Sequence, residues 1–599
     1  MKITRITLNL YRSLLMLVCF SFFRFDMQRK KCYTIQEAAA IIQCLSDEEE
    51  EVELVVLPPE NEVVTDEEID DIDATDIQEV AGEIEIHTRT ALTDTEDVPP
   101  CKRRKPNKRE WKKDKFQVPV SPDGDSLNPV QSNDSCELSP LKEEYPLLKN
   151  MEPIEVFNLF FDESIIQLIT VETKRYADQK GEHTFNVSES EIKAFLGILL
   201  LSGYHSLPRE KLYWCNDEDV GVPLVQSKMS RNRFQTIKRF LHLSDNLNLE
   251  KNDRLRKIRS YLNMCKAALC QFGVFSKHLA IDEQMVPYFG KNSLKQYIRG
   301  KPVKFGMKLW VLASSDGFPF DFEVYTGKEG IAQKGLVGER VVMNFAEKIP
   351  NKRHHCLYTD NFFTSANLLS MTSSLELRHT GTVRQNRIDG CPMTDNKEYK
   401  KTPRGSYEMY GDGELTAVQW NDSKPVIVIS NFEGVEPTKS VRRWNKAQKS
   451  FVDIQIPAMI ASYNSFMGGV DLLDRFMSDY RPTLRNRKWW WCLFSNQLNM
   501  AVVAAWRLHV HLDGKMDHLQ FRREIVRSLL LKIPSKKYIT GPSRNPVATI
   551  RYSSPQQHLP QPANRQGRCK QCYKNTTYFC QQCDVLLHSR CFAEYHRAS

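Results

Sequence analysis

The chain has 599 residues, more than one hydrophobic core accommodates, so we expect several domains. Its net charge of +8 hides a segregation: residues 47–97 carry 21 Asp and Glu and one Arg, which leaves +28 on the remainder. A strongly basic body indicates a polyanionic partner, most often nucleic acid, with an inert basic surface as the alternative. Of the 16 cysteines, five lie in the last 31 residues; the others are scattered, which argues against a disulfide framework.

An apolar run at residues 8–23 follows Lys2 and Arg5 and has the character of a signal or short membrane segment. No small-residue cleavage site follows it, and Met27 is an alternative start. We therefore expect residues 1–26 to be an upstream extension and expect no membrane association, with a membrane anchor as the alternative.

The whole of residues 1–150 is expected to be disordered. Residues 45–97 are acidic and poor in aromatics, which is typical of disorder. Residues 101–116 hold nine Lys and Arg in two clusters. That pattern predicts nuclear localisation, with nonspecific DNA contact as the alternative.

Helical periodicity begins near residue 153 and predicts a helical region over 151–279. Ser188 followed by Glu191 has the form of a capping box. A third helix, MSRNRFQTIKRFLHLSD, places Phe234 and Ile237 on an apolar face beside a basic one. That basic face is a candidate DNA contact.

Short β-rich runs follow from residue 278, and helix-like segments at 337–348 and 363–375 make this an α/β unit. The remaining boundaries predict five segments: a β-rich patch at 385–455, a return to the α/β unit at 456–477, a helical part at 478–535, a Pro- and Ser-rich linker at 536–564 and a cysteine-rich module at 565–599.

Three acids stand beside elements that should be buried. Asp282 follows the strand LAI, Asp360 follows HHCLYT, and Asp471 opens a helix that also carries Asp474. Such acids are commonly structural, and Asp471 and Asp474 could simply face water in a first helical turn. If the fold gathers them, they suit two Mg2+ ions in phosphoryl chemistry, because hard cations prefer carboxylate oxygens.

The segments IDEQMVPYFG, YTDNFFTS, GTVRQNR and GGVDLLDRF, in this order and with the terminal Cys/His cluster, resemble the piggyBac transposase family. The resemblance covers roughly residues 150–599. It implies a ribonuclease-H-like catalytic domain over 280–384 and 456–477, interrupted by a β-rich insertion and flanked by helical dimerisation and DNA-binding parts. It also implies a catalytic triad of Asp282, Asp360 and Asp471, with Asp474 near the metals.

The implied reaction is cut-and-paste transposition of double-stranded DNA by a homodimer. Water hydrolyses one strand at each transposon end, the freed 3′-hydroxyl forms a hairpin on the opposite strand, and after opening it attacks target DNA at TTAA. Candidate DNA-binding residues are Asn361, Arg384, Arg387, Arg485, Arg487 and Lys488. Surface charge is the alternative for the basic ones, and Trp489–Trp491 are expected to be helix core.

Paired Cys-x2-Cys knuckles end the chain and predict structural zinc. The candidate ligands are Cys569, Cys572, Cys580, Cys583, His588, Cys591 and His596. These are seven where two tetrahedral sites need eight, so we expect a non-Cys/His ligand, a water, or one candidate that does not bind. Their order predicts an interleaved cross-brace. The resemblance implies binding of transposon-end DNA, with a protein-binding finger of the plant-homeodomain or RING type as the alternative.

Taken together, the sequence predicts a nuclear DNA transposase that uses Mg2+ and Zn2+. Two alternatives remain. One is a domesticated DNA-binding protein that keeps the fold without transposing. The other is a chromatin adaptor that uses the acidic tail and the zinc module alone.

Overall fold

The computed structural model describes residues 32–33, 52–57, 83–88, 109–113, 141–298, 301–327, 336–388, 390–445, 448–531 and 558–596. They belong to two compact units, 1–534 and 535–599. The apolar run at 8–23 and the first basic cluster at 102–105 lie outside the described residues. None of the helices in the described ranges is long and apolar enough to span a bilayer.

The described helices are numbered in chain order. They are α1 Leu141–Glu144, α2 Pro153–Phe160, α3 Glu163–Gln179, α4 Glu189–Tyr204, α5 Pro223–Lys228, α6 Arg231–Phe240, α7 Arg259–Cys270, α8 Val337–Lys348, α9 Ala366–Ser374, α10 Asn396–Tyr399, α11 Ala458–Phe466, α12 Gly469–Asp479, α13 Trp491–His511, α14 His518–Leu531 and α15 Ser589–His596. Short 3-10 turns add Pro146–Asn150, Glu210–Trp214, Asn246–Asn248, Lys352–His354 and Gln385–Arg387.

The described strands follow the same convention. They are β1 Cys32–Tyr33, β2 Val52–Leu57, β3 Glu83–Thr88, β4 Lys112–Lys113, β5 His278–Pro287, β6 Lys295–Tyr297, β7 Phe305–Ser314, β8 Pro319–Val324, β9 Cys356–Thr359, β10 Arg378–Thr382, β11 Tyr407–Gly411, β12 Thr416–Asn421, β13 Pro425–Ser430, β14 Lys439–Asn445, β15 Ser450–Ile456, β16 Pro560–Arg568, β17 Asn575–Cys580 and β18 Val585–Leu586.

A mixed sheet forms the centre of the first unit, with its inner strands in the order β8-β7-β5-β9-β10. β7 is antiparallel to β5 and β8, whereas β9 is parallel to both β5 and β10. The last paired residues of β5 and β9 are Ile281 and Thr359. Because these strands run side by side in one direction, the residues that follow this last pair, Asp282 within β5 and Asp360 after β9, lie next to each other.

The β-rich patch predicted at 385–455 is not separate from this sheet. β10 pairs antiparallel with β13, with Thr380 opposite Ser430, and β12, β11 and β4 continue the sheet outwards. Among the described strands of this patch, β14 and β15 alone form a separate sheet, a two-stranded hairpin. The chain therefore extends the central sheet where the sequence predicted an independent insertion.

The opposite edge of the sheet receives strands from the N-terminal region. β2 pairs with β6, and β3 and β1 follow. β2 and β3 lie in the acidic tract for which the sequence predicted disorder, and β4 lies in the basic segment 101–116. Backbone pairing at a sheet edge makes few demands on side-chain polarity, which explains why composition did not indicate these strands.

The predicted helical parts before and after the sheet share one apolar core with it. α13 packs against α2, and α14 packs against α4. A Cβ at Gly197 of α4 would lie 3.1 Å from the Leu530 side chain, so this glycine permits the close approach. The capping box of Ser188 and Glu191 is present at the start of α4, as predicted.

In the second unit, β16, β17 and β18 form a small antiparallel sheet followed by α15. Pro560 in β16 pairs with Cys580 in β17. The ordered module thus begins inside the segment 536–564 that the sequence predicted to be a linker.

Candidate active site and C-terminal metal centre

Three acids meet where β5 and β9 bring adjacent chain segments together. Asp282, Glu283 and Asp360 offer carboxylate oxygens that all lie within 4.8 Å of one another. Asp282 is 9% exposed. Asp360 accepts a 2.9 Å hydrogen bond from the backbone N–H of Phe362, which fixes the turn after β9. The parallel pairing of the two strands therefore creates an acidic pocket that suits a hard cation.

Like charges this close repel, and a lysine offsets part of the repulsion. Lys301 Nζ lies 3.9 Å from Asp282 Oδ2 and 3.5 Å from Glu283 Oε1. Burial and the charge of Glu283 raise the pKa of Asp282 well above its usual range. Burial opposes the charge of Lys301, but Asp282 and Glu283 outweigh it and hold its pKa above the ordinary value. Lys301 thus forms ion pairs with two of the three acids.

The helix α12 carries Asp471 to this side of the sheet. α12 packs on β5 and β7, and a Cβ at Gly469 would lie 2.2 Å from the carbonyl oxygen of Ser314 at the end of β7. Gly468 has open space around it. Only the second glycine of the pair is therefore required for the helix to approach the sheet.

Asp471 is exposed and stands outside the group of three close carboxylates. Its charge nevertheless raises the pKa of Lys301 and acts on Tyr463, which also senses Asp282 and Asp360. The structure thus brings Asp282 and Asp360 into direct proximity and places Asp471 beside them.

Asp474 lies one helical turn further into the protein and is held by neutral side chains. Gln284 Nε2 donates to Asp474 Oδ1 at 2.6 Å, and Asn496 Nδ2 donates to Gln284 Oε1 at 3.2 Å. Burial raises the pKa of Asp474 to about 6, although the Gln284 hydrogen bond and the charge of Arg481 lower it. This carboxyl is anchored to β5 and α13 and is no member of the close acidic group.

Two DNA-binding candidates brace the loop after Asp360. Arg387 Nη1 donates to the carbonyl oxygens of Asn361 and Phe362 at 2.9 and 2.7 Å. Arg384 Nε donates to Asn361 Oδ1 at 3.3 Å. The two arginines therefore fix the position of exposed Asn361 at the rim of the acidic pocket.

The basic turn before α13 divides into two kinds of residue. Arg485 and Arg487 are exposed. Lys488 Nζ instead donates to the carbonyl oxygens of Arg239 and Leu241, at 2.6 and 2.7 Å, and so caps the end of α6. Trp490 and Trp491 are buried in the helical core, as the sequence predicted.

The cysteine-rich unit gathers its ligands into two complete groups of four. The first is Cys569, Cys572, His588 and Cys591. Cys572 Sγ lies 3.3 Å from His588 Nδ1, and His588 Nε2 lies 2.9 Å from the carbonyl oxygen of Asn575. A carbonyl only accepts, so Nε2 carries the proton and Nδ1 is left for a metal.

The second group supplies the missing eighth ligand. It consists of His558, Cys580, Cys583 and His596, whose ligand atoms lie within 4.8 Å of one another. His558 Nδ1 is 3.4 Å from Cys580 Sγ and 3.3 Å from Cys583 Sγ. All seven candidate ligands lie in the two groups, and the eighth member is a histidine, where the sequence led us to expect a non-Cys/His ligand, a water or a candidate that does not bind.

Comparison with known proteins identifies relatives of this chain. The family model described as Transposase IS4 matches residues 152–506. PiggyBac transposable element-derived protein 3 of Homo sapiens is 34% identical over 583 residues, which is 91% of this chain and 96% of that protein. PiggyBac transposable element-derived protein 2 of Homo sapiens is 31% identical over 456 residues, covering 75% of this chain and 77% of the relative.

The fold is also similar to a piggyBac transposase solved by cryo-electron microscopy as a synaptic complex with hairpin DNA. The TM-score is 0.55 at 23% identity, over 74% of this chain and 98% of the other. The match to the family model over more than half of the chain defines a transposase-type protein. With the extended match to its human relatives, the chain belongs to the piggyBac family of transposases and transposable element-derived proteins.

Four residues of these sites were absent from the sequence prediction. Glu283 directly follows Asp282 and was within reach of the same argument. Lys301 and Tyr463 carry no local signal, because only the fold brings them to the acids. His558 was hidden by the proline-rich composition around it, which indicated a linker.

Proposed function

We propose that this protein is a DNA transposase that cleaves and joins DNA at the acidic pocket of Asp282, Glu283 and Asp360, with Asp471 completing the site. The carrying observation is the placement of Asp282 and Asp360 directly after the last parallel pair of β5 and β9, Ile281 with Thr359, with α12 packed on β5 and β7. The inner strand order β8-β7-β5-β9-β10, with its one antiparallel half, supports a ribonuclease-H-like catalytic domain.

The acids of the pocket would bind two Mg2+ ions, which supply an activated water and stabilise the leaving oxygen of a phosphodiester. Asp282 and Asp360 hold the carboxylates that this requires. When cations bind, the ammonium group of Lys301 would either move away from Asp282 or stay as a third cation beside the acids. Asp474 keeps α12 in register with β5 through Gln284 and so acts as a positioning residue.

The proposed substrate is double-stranded DNA at the ends of a transposable element, with hairpin formation and joining at TTAA. Asn361 at the pocket rim would contact target DNA, with Arg384 and Arg387 holding its loop. Arg485 and Arg487 are exposed and would contact phosphates, which confer affinity rather than sequence choice. Lys488 is assigned to capping α6 instead.

The two Cys/His groups would each bind one structural Zn2+, because tetrahedral sets of thiolates and imidazoles suit that ion. The interleaved order of the ligands ties the module together as a cross-brace. We further propose nuclear import through residues 101–116 and action as a homodimer on paired ends.

Excision of a donor element from a plasmid tests the proposal. The donor carries the terminal repeats that flank the gene, and excision is scored by repair at the empty site. Wild-type excision that is lost in Asp282→Asn and Asp360→Asn, with DNA binding retained, supports the proposal. Equal excision in the wild type and in Asp282→Asn contradicts it.

A second candidate is a DNA-binding protein that retains the fold without transposing. It is favoured by the relatives, whose names mark them as derived from a transposable element. This candidate predicts DNA binding by the wild type without excision of any matched donor. The presence of all three acids of the expected triad, Asp282, Asp360 and Asp471, favours the first function.

A further inference from the structure

The hairpin of β14 and β15 leaves two aromatic side chains in solvent. Trp444 is 50% exposed and Phe451 is 59% exposed. They are directly opposite each other on the two strands, with ring centroids 5.2 Å apart in an edge-to-face arrangement. Aromatic side chains contribute large apolar areas to cores and interfaces, so an open pair of this kind indicates a partner.

The hairpin has two different faces, because successive residues of a strand point to opposite sides. The inner face, with Val441, Val452 and Ile454, packs on the apolar cluster of β12, β13 and α11. The outer face would ordinarily be polar. Trp444 and Phe451 are apolar residues on this outer face, so packing in the core does not explain their presence there.

The charge of the hairpin identifies the chemistry of the partner. Residues 439–456 carry five Lys and Arg against one Asp, a net of +4. The Arg442 guanidinium lies over the Phe451 ring, 5.2 Å from its centroid. Arginine beside open aromatic rings is the combination that binds nucleic acid, with the cation on phosphate and the rings on bases.

Ion pairs and a hydrogen bond hold the turn end of the hairpin, where Trp444 and Phe451 lie. Asp422 pairs with Arg404 at 2.5 Å and with Arg443 at 3.1 Å, and Arg404 also donates to the carbonyl oxygen of Trp444 at 3.1 Å. The aromatic pair therefore projects from a braced ribbon, which lowers the entropy lost on binding.

We propose that Trp444 and Phe451 form a stacking platform for an unpaired base of bound DNA. A paired duplex hides the faces of its bases, whereas a hairpin loop exposes them, and Trp and Phe rings accept any base by its π-face. This inference rests on the proposed transposase function, whose reaction passes through DNA with a closed hairpin end. The platform adds recognition of that end to the phosphate contacts made elsewhere.

The test compares two fluorescent DNAs of the same stem sequence, one a fully paired duplex and the other closed by an unpaired loop, in binding titrations with the full-length protein. The wild type should bind the looped DNA more tightly. Trp444→Ala and Phe451→Ala should each weaken that binding by about tenfold. Binding to the paired duplex should change less than twofold in both variants.

Matched variants separate stacking from folding. Trp444→Tyr keeps a ring and should retain most of the preference for looped DNA, while Ser440→Ala on the same outer face should leave both affinities unchanged. Equal binding of the two DNAs by the wild type, or equal losses on both DNAs in Trp444→Ala, would overturn the platform. So would a Trp444→Ala variant that changes only the oligomeric state, because the pair then covers a second copy.

Failure of the proposed function gives a different result. If the wild type binds neither DNA, the transposase proposal fails at its first step. If the wild type binds both DNAs and the aromatic variants match it, the transposase proposal stands and only the platform is excluded.

Discussion

The acidic pocket and the cysteine-rich unit both gather metal-ligand side chains, but they do so to different degrees. Each Cys/His group brings together four possible ligand atoms, the number that a tetrahedral site requires. The acidic pocket holds three carboxylates in close contact, with Asp471 outside and Lys301 beside them. A structural metal site is closed by protein ligands, whereas a catalytic site keeps positions open for water and substrate. In the acidic pocket, the ammonium group of Lys301 therefore offsets part of the repulsion between the carboxylates.

The largest expected effect is on catalysis at the acidic pocket. Asp471→Asn keeps the size of the side chain and removes its charge, so excision should fall by about a hundredfold or more while DNA binding stays near normal. Titration with Mn2+, read by its spin resonance signal, should show weaker metal binding in the same variant. Asp479→Asn at the far end of α12 is the matched control and should behave as the wild type.

Unchanged Mn2+ binding in Asp471→Asn would contradict this prediction. The three close carboxylates would then be sufficient as ligands, and Asp471 would have no part in the site.

The next effect is on the zinc content of the second unit. His558→Ala should reduce bound zinc from about two ions to about one per chain, because it opens one group and leaves the other complete. Metal analysis of the purified full-length protein measures this. His183→Ala, an exposed histidine outside both groups, should keep both ions. Two ions in His558→Ala would show that the eighth ligand is not needed.

A partly buried acid outside the acidic pocket and the Cys/His groups gives the next effect. Glu433 accepts a 3.1 Å hydrogen bond from Thr380 Oγ1, and burial raises its pKa to about 7. The folded state then binds this proton more tightly than the unfolded state, so stability falls as pH rises from about 4.5 through about 7.

Glu433→Gln should remove this dependence on pH. It should stabilise the protein by about 2–3 kcal/mol near pH 8 and by little near pH 5, as measured by urea denaturation. Glu436→Gln, an exposed acid nearby, is the control. A stability gap between Glu433→Gln and the wild type that does not change with pH would contradict the buried-carboxyl explanation.

The smallest effect concerns the cation in the pocket. Lys301→Gln should destabilise the metal-free protein by about 1 kcal/mol, because the pair is partly exposed and its distances are long. Saturating Mg2+ should restore stability more fully in this variant than in the wild type, since no lysine competes for the acids. Lys304→Gln should change neither quantity. Thermal unfolding with and without Mg2+ gives both values.

Much of the fold and part of the sites could be predicted from the sequence. The apolar runs before Asp282 and Asp360 indicated two strands, and β5 and β9 are present, with Asp360 after β9 and Asp282 inside β5, which continues to Pro287. The capping box at Ser188 and the buried tryptophans before α13 were also predicted. These features depend on neighbouring residues, which is why a single sequence contains them.

Other features depend on distant parts of the chain and were not predictable in this way. The approach of Lys301 to Asp282 and of Tyr463 to Asp360 follows from the sheet and from α11, and neither residue has a local pattern. The pairing of β10 with β13 made one sheet from two predicted regions. His558 lies before the first cysteine knuckle in a proline-rich stretch, where composition outweighed its chemistry.

The packing of α14 on α4 has a consequence for synthesis of the protein. These helices are separated by the whole catalytic and β-rich part of the chain, which a ribosome adds at roughly 5–20 residues per second. The apolar face of α4 around Gly197, which Leu529 and Leu530 finally cover, thus waits roughly 15 to 60 seconds for its partner. During that time the nascent chain exposes an apolar surface, and such a surface makes an incompletely folded chain prone to aggregation.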